Sequence, residues 1–119
     1  MSGASERDER LELLALCTEE RRLERAVKEA GRVLLQVDGP DLFIAAASRY
    51  NVVLDLQARR IQHGCRDFLG QAREGRLCKH VAALLLAVDR GAALAALRGL
   101  TDPRGGWHLE VIGAAGFGT

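Results

Sequence analysis

The 119-residue sequence predicts an α+β fold with N-terminal helices, a small antiparallel β-sheet and a C-terminal apolar helix. Residues 1–32 carry apolar side chains at helical spacing, and residues 33–56 contain short β-compatible runs separated by turn residues. Residues 81–100 are rich in leucine and alanine. Because aromatic residues make up only 4% of the chain, aliphatic side chains must fill most of the core.

The N-terminal segment contains signals for two helix starts. Ser5 precedes an acidic turn and a run of leucines, which predicts a helix capped by Ser5. Thr18 precedes two glutamates, and carboxylates stabilise the positive end of a helix. Leu23 and Val27 then lie on one helical face, and Gly31 is a natural stop. The segment forms either two helices or one kinked helix.

Two or three antiparallel strands are predicted in the middle of the chain. "VLLQV" and "LFIAAAS" flank the turn "DGPD" at residues 38–41, and "VVLDLQ" follows a second break at "RYN". The three alanines at 45–47 leave a helix open as the alternative for the second run.

After His80 the sequence predicts a helix that is apolar on almost every side, with a break at Gly91. Its surface is either an exposed interface for a partner or is covered by the N-terminal helices and the sheet. "WHLEVIG", beginning at Trp107, predicts a short terminal strand, and the Gly-rich tail beyond it is expected to fray.

Composition points to a cytoplasmic globular protein. The formal net charge is +1, and no segment shows a charged start followed by a long apolar core, so no signal peptide is expected. The longest apolar run, residues 81–88, is too short to span a bilayer. An odd number of cysteines without a secretion signal indicates a reducing compartment, where cysteines more often bind metals than form disulfides.

Histidine and cysteine are concentrated in two pairs, His63-x-Cys65 and Cys78-x-His80. Residues two apart do not share a face within a helix, but at a helix start or in extended backbone they can reach one ion. These side chains are therefore predicted to hold one structural Zn²⁺ in an HxC…CxH site that leads into the apolar helix. Four ligands leave no open position for a substrate water, so the site is expected to be structural. No enzymatic activity is expected, because the sequence shows no paired carboxylates, nucleophile triad or phosphate loop.

Three alternatives to zinc remain. His63 and His80 could be surface residues beside buried apolar cysteines. A Cys/His nucleophilic pair would need an orienting third group, which the sequence does not supply nearby. A Rieske-type iron–sulfur centre also uses two cysteines and two histidines, but in a different order and spacing. The remaining Cys17 and His108 are expected to lie outside the site.

The segment from Cys65 to Val81 resembles the SWIM zinc finger. That family has Cys-x-Cys, a loop and Cys-x-His, and this chain reads "CRDF", a loop, and "CKHV" followed by an aliphatic helix. "YNVVLDLQARRIQHGC" is similar to the hairpin that precedes the family's metal site, so the resemblance covers residues 33–90. The chain departs from the family at His63, which replaces the usual first cysteine, and at Arg66, which replaces the usual proline.

This resemblance implies a domain division and a function. Residues 1–32 would be an N-terminal helical segment, 33–99 the SWIM-type zinc-binding domain and 100–119 a C-terminal extension. Small SWIM proteins act in DNA recombination and repair, bound to paralogues of the RecA-like recombinase. The chain is therefore expected to be a non-enzymatic adaptor that binds such a paralogue and DNA, or that self-associates, without a membrane or small-molecule substrate.

A basic stretch suggests DNA as the second partner. Residues 59–80 contain six basic side chains against two acidic ones. They could contact phosphates weakly and without sequence preference, which would associate the protein with the nucleoid, or they could simply be a solvated surface. A free-standing nucleic-acid-binding finger with a regulatory role is the alternative function. The predicted contacts are Arg59, Arg60, Arg66, Arg73, Arg76 and Lys79.

Overall fold

A computed structural model of the chain describes residues 2–47 and 50–112. The α+β prediction is confirmed, with five α-helices and a five-stranded sheet in the described residues. The Gly-rich tail for which fraying was predicted lies outside them, at residues 113–119. The elements are α1 (Ser2–Cys17), α2 (Glu20–Glu29), a 3₁₀ turn (Ala30–Arg32), β1 (Leu34–Asp38), β2 (Leu42–Ala47), β3 (Tyr50–Asp55), β4 (Arg60–His63), α3 (Arg66–Arg73), α4 (Lys79–Ala87), α5 (Arg90–Leu100) and β5 (His108–Val111).

The N-terminal segment forms two helices rather than one. The backbone leaves the helical path at Thr18, which forms a parallel bridge with Leu77, and the Leu77 amide donates to the carbonyl oxygen of Cys17 at 2.7 Å. The prediction that Ser5 caps the first helix is wrong, because α1 already begins at Ser2. Cys17 and Thr18 are both buried, so this junction joins the end of α1 to the segment that precedes α4.

The sheet has the strand order β1-β2-β3-β4-β5 and is mixed. The first three pairings are antiparallel, as predicted, whereas β5 pairs with β4 in parallel. Three helices separate β4 from β5, and such a long crossover connection allows parallel pairing. The helix alternative for the alanine run is wrong, because Ala45 lies in β2, pairs with Val52 and is fully buried.

The hairpin implied by the SWIM resemblance is present as β3 and β4, whereas α3 was not predicted from the sequence. β4 is only four residues long, and α3 occupies the segment that was interpreted as a loop. Gly70 lies in the middle of α3, where glycine weakens the sequence signal for a helix. Ile61 of β4 and Phe68 of α3 are nonetheless fully buried, so tertiary packing determines both elements.

The apolar stretch after His80 folds into two helices, but the break does not fall at Gly91. Val88 is extended, with φ −74° and ψ 167°, and Asp89 begins the next helix. The side-chain oxygen of Asp89 accepts a hydrogen bond from the amide of Ala92 at 2.9 Å, which caps the start of α5. A capping aspartate therefore sets the boundary, and Gly91 lies within the first turn of α5.

The first half of α4 forms the centre of the core. Its residues from Val81 to Leu85 are buried, and α4 contacts α2, α5, β2 and β3. The N-terminal helices and the sheet thus cover the apolar helix, which is the second of the two alternatives considered above. The same core contains Leu14 from α1, Phe43 from β2 and Leu97 from α5.

Arg10 of α1 holds the end of α4 in place. Its Nη1 donates to the carbonyl oxygens of Leu85, Leu86 and Val88 at 3.0, 3.1 and 3.2 Å. These carbonyls belong to the C-terminal turn of a helix, where intrahelical donors are lacking and a cation is favoured. One guanidinium therefore satisfies this end of α4 and fixes α1 against it.

Substitution of Arg10 by methionine is expected to lower the free energy of unfolding by about 2 kcal/mol, because partly buried carbonyls lose a charged donor. Urea unfolding monitored by circular dichroism would measure the change. The matched control is Arg32→Met, since Arg32 is exposed. Equal stability of the two variants would contradict the role given to Arg10.

Candidate metal centre

Three neighbouring elements supply the four side chains of the candidate centre. His63 is the last residue of β4, Cys65 is the N-cap of α3, and Cys78 is the N-cap of α4. His80 is the second residue of α4. Both cysteines have extended backbone, with φ −74°, ψ 155° at Cys65 and φ −84°, ψ 172° at Cys78. Each pair therefore lies where the chain enters a helix, which allows residues two apart to face one point.

The distances between the donor atoms suit a single metal ion. One donor atom from each of the four residues lies within 4.8 Å of all the others. The two imidazoles approach through His63 Nε2 and His80 Nδ1, which are 3.2 Å apart. Bonds of roughly 2.0–2.3 Å in a tetrahedron place ligand atoms on the order of 3.3–3.8 Å from one another. The four side chains are thus close enough to hold one ion.

The four side chains are also buried. His63 and Cys78 have no exposed surface, and Cys65 and His80 are 4% and 7% exposed. Burying this many polar groups without strong partners costs free energy. A bound cation would offset that cost, which makes the donor set and its surroundings a good fit to a structural metal.

The backbone of β3 orients His63. A carbonyl oxygen can only accept, so the 2.7 Å contact between His63 Nδ1 and the Asn51 carbonyl requires a proton on Nδ1. The lone pair of Nε2 is then free to face the centre, as in metal sites where a second hydrogen bond fixes the tautomer. On the thiol side, the amide of Phe68 donates to Cys65 Sγ at 3.2 Å.

Aromatic side chains pack around the two imidazoles. The Tyr50 ring lies 5.8 Å from His63 and 6.0 Å from His80, centroid to centroid, and the Phe68 ring lies 5.4 Å from His63. Such a shell limits the access of water and lowers the local dielectric constant. It therefore strengthens the attraction between the ligands and a cation.

The two thiols differ in acidity. The hydrogen bond from the Cys78 thiol, the largest influence, and the bond from the Phe68 amide lower the pKa of Cys65. The bond between the two thiols, together with burial, raises the pKa of Cys78. Two thiolates in so buried a site need a positive charge beside them. A divalent ion supplies that charge, and thiolates are the form in which cysteine binds metals.

Cys17 and His108 lie outside the cluster, as expected. Cys17 is buried, its thiol donates to the Leu13 carbonyl at 3.5 Å, and burial raises its pKa. His108 is exposed at the start of β5. The contributions of Tyr50 and the Asn51 carbonyl had no signal in the sequence, because they depend on strand pairing.

The six predicted nucleic-acid contacts divide into two groups. In the first, Arg60 lies 3.9 Å from Asp55 and 3.8 Å from Glu110, and Lys79 lies 3.2 Å from Glu29. Arg59 also belongs here, since its side chain donates to a backbone carbonyl at 3.3 Å. Internal partners therefore neutralise or hold this group.

The second group consists of Arg66, Arg73 and Arg76. All three are exposed, and none forms an ion pair with the part of the chain that the structure describes. Arg66 and Arg73 begin and end α3, and a spacing of seven residues places them on the same face. Arg66, Arg73 and Arg76, the last of which follows α3 in the chain, are named the α3 arginines below.

Comparison of the chain with protein-family models, curated proteins and solved structures gives no match. The SWIM resemblance thus depends on the residues quoted above and stays a prediction. Among the described helices, none is both long and apolar enough to cross a membrane.

The chain provides matched controls for a test of the four ligands. Alanine at His63, Cys65, Cys78 or His80 is expected to remove the metal and lower the melting temperature on the order of 10 °C, because metal binding contributes directly to folding. Cys17→Ala and His108→Ala are expected to keep one ion per chain. Elemental analysis of tag-free protein and thermal unfolding would measure both properties. Full metal content in any of the first four variants would contradict the assigned ligand set.

Proposed function

We propose that the protein is a small SWIM-type zinc-binding adaptor in DNA recombination or repair, which binds a RecA-like recombinase paralogue and DNA. The observation that carries this proposal is the closed centre formed by His63, Cys65, Cys78 and His80, which lie together and are buried. Such a centre stabilises the junction of strand and helices from which binding surfaces extend. Cys78 and His80 lie in "CKHV" before an aliphatic helix, and this pattern resembles the SWIM finger.

The chemistry of the donors favours zinc as the ion. Two thiolates and two neutral imidazoles balance a divalent charge, and tetrahedral S₂N₂ sites are typical of zinc. The proposed role of the ion is structural and the proposed protein is not an enzyme, since four protein ligands leave no position for substrate. Inside a reducing cytoplasm the thiols would remain available as ligands.

Cobalt substitution distinguishes zinc from the iron–sulfur alternative. Protein reconstituted with Co²⁺ is expected to show the visible bands of a tetrahedral thiolate complex, and Zn²⁺ is expected to displace them with a one-to-one end point. Purified protein that instead contains iron and absorbs visible light would contradict the assignment to zinc.

Partner binding is testable by co-expression with a RecA-like paralogue from the same genome. The proposal predicts that the two proteins co-purify in a fixed ratio and that Cys78→Ala abolishes the complex, because the metal stabilises the fold that presents the surface. The Cys17→Ala variant is the control. A wild-type protein that stays alone in this experiment would count against the adaptor.

The α3 arginines support the alternative function, a free-standing nucleic-acid-binding finger with a regulatory role. Their unpaired charges lie immediately beside the centre, since Arg66 directly follows Cys65. Phosphates would be contacted without base recognition, which implies weak and salt-dependent binding. This alternative predicts DNA binding without any protein partner.

Reversing two of these charges tests the DNA-binding surface. Arg66→Glu with Arg73→Glu is expected to weaken DNA binding about tenfold and to lower the salt slope by about 1.5, since two phosphate contacts are lost. The matched control is Lys28→Glu with Arg32→Glu, which makes the same charge change at two exposed residues. Fluorescence anisotropy at several salt concentrations would measure the effect. Equal losses in the two double variants would contradict a specific role for α3.

A further inference from the structure

A cleft of about 400 Å³ lies between the first turns of α2, α3 and α4, directly beside the metal centre. Helix α2 and the residue before it contribute one side of its wall, and α3 and α4 contribute the other. The lining contains four cationic side chains, two carboxylates and one of the candidate metal ligands. These residues are Glu19, Arg21, Arg22, Arg25, Asp67, Lys79 and His80.

Both carboxylates of the cleft are engaged by a single arginine. Arg22 donates through Nε and Nη2 to the two oxygens of Asp67 at 2.8 and 2.7 Å, and its Nη1 lies 2.8 Å from Glu19. The bond to Asp67 raises the pKa of Arg22 above its ordinary value. This bidentate pair fixes α2 to α3, and it leaves neither carboxylate to neutralise the other cations.

Arg21 and Arg25 remain as unpaired charges at the mouth of the cleft. They lie four residues apart on α2, so they project from the same side of the helix. Both are exposed, and neither forms an ion pair with the residues that the structure describes. On the opposite wall, Lys79 forms an ion pair at 3.2 Å with Glu29, which does not belong to the lining.

A largely buried histidine, His80, also lines the cleft. Its Nδ1 faces the metal centre, 3.2 Å from His63 Nε2, so metal binding there leaves the proton on Nε2. His63 gives its second nitrogen to the Asn51 carbonyl, but Nε2 of His80 has no hydrogen-bond partner among the described residues. A metal-bound histidine almost always donates through its second nitrogen. His80 is 7% exposed and belongs to the lining, so a ligand in the cleft can offer an acceptor to this nitrogen.

We propose that this cleft binds a phosphate group of a nucleic-acid backbone, held by Arg21 and Arg25 and by the Nε2–H of His80. Phosphate offers several acceptor oxygens and negative charge, which guanidinium groups bind in a bidentate manner. Asp67 belongs to the lining and directly follows Arg66 in the chain, so the cleft adjoins the first of the α3 arginines. The proposal rests on the DNA-binding part of the proposed function and extends that surface to α2.

Charge reversal at the mouth of the cleft tests this proposal. Arg21→Glu with Arg25→Glu is expected to raise the dissociation constant for single- and double-stranded oligonucleotides about tenfold or more. The salt slope should fall by about 1.5, as expected for two lost contacts. Arg32→Glu with Arg104→Glu, at two exposed residues outside α2 and outside the lining, is the charge-matched control. Metal content and melting temperature should be unchanged in both, and Arg21→Gln with Arg25→Gln is the second variant should the first fail to fold.

A second readout follows the histidine directly. In ¹⁵N-labelled wild-type protein, addition of an oligonucleotide is expected to shift the Nε2 resonance of His80 and to leave that of His108 unchanged. Inorganic pyrophosphate serves as the comparison ligand in phosphate-free buffer. A shift of His80 with pyrophosphate and none with DNA would overturn the assignment to nucleic acid.

The outcomes separate this inference from the proposed function. Wild-type protein that binds DNA while the Arg21/Arg25 variant loses no more affinity than the control overturns the cleft and leaves the α3 surface intact. Wild-type protein that binds no DNA overturns both. Selective loss in the Arg21/Arg25 variant, together with the His80 shift, supports the inference.

Discussion

The convergence of two thiols and two imidazoles at one buried point is the constraint on which the rest of the structure depends. The donors come from the end of β4, the start of α3 and the start of α4, and they lie within 4.8 Å of one another. Burying these four polar side chains beside the sheet and the aromatic rings costs folding free energy when no cation is bound. With a bound cation, the same four side chains would stabilise the fold strongly. An ion bound at this point would therefore fix the starts of two helices against the end of β4.

Helix α4 illustrates the consequence. Its first turn carries His80, and its last carbonyls accept from Arg10, so each end is attached to a different part of the fold. Between these points its buried side chains pack on β2 and β3. A helix without a polar face is tolerated because its neighbours cover it. Polar interactions at the two ends of α4 and apolar packing along its middle together fix the position of the helix.

The sequence was informative where the signal was local. Two x-spaced pairs of cysteine and histidine sufficed to predict the four side chains that the fold brings together, because the spacing itself allows chelation at a helix start. The terminal strand β5 was predicted, but its parallel pairing with β4 was missed, because pairing depends on distant residues. Helix α3 was missed because Gly70 weakens its signal. The Asn51 carbonyl and the unpartnered nitrogen of His80 have no counterpart in residue type, and only the three-dimensional arrangement reveals them.

X-ray absorption at the zinc edge of purified wild-type protein tests whether His63, Cys65, Cys78 and His80 bind one ion, because it counts the ligands by element. The account predicts two sulfur atoms at about 2.3 Å and two nitrogen atoms at about 2.0–2.1 Å, with the outer-shell scattering of two imidazoles. A first shell of nitrogen and oxygen alone, or one with a third sulfur from Cys17, would contradict it.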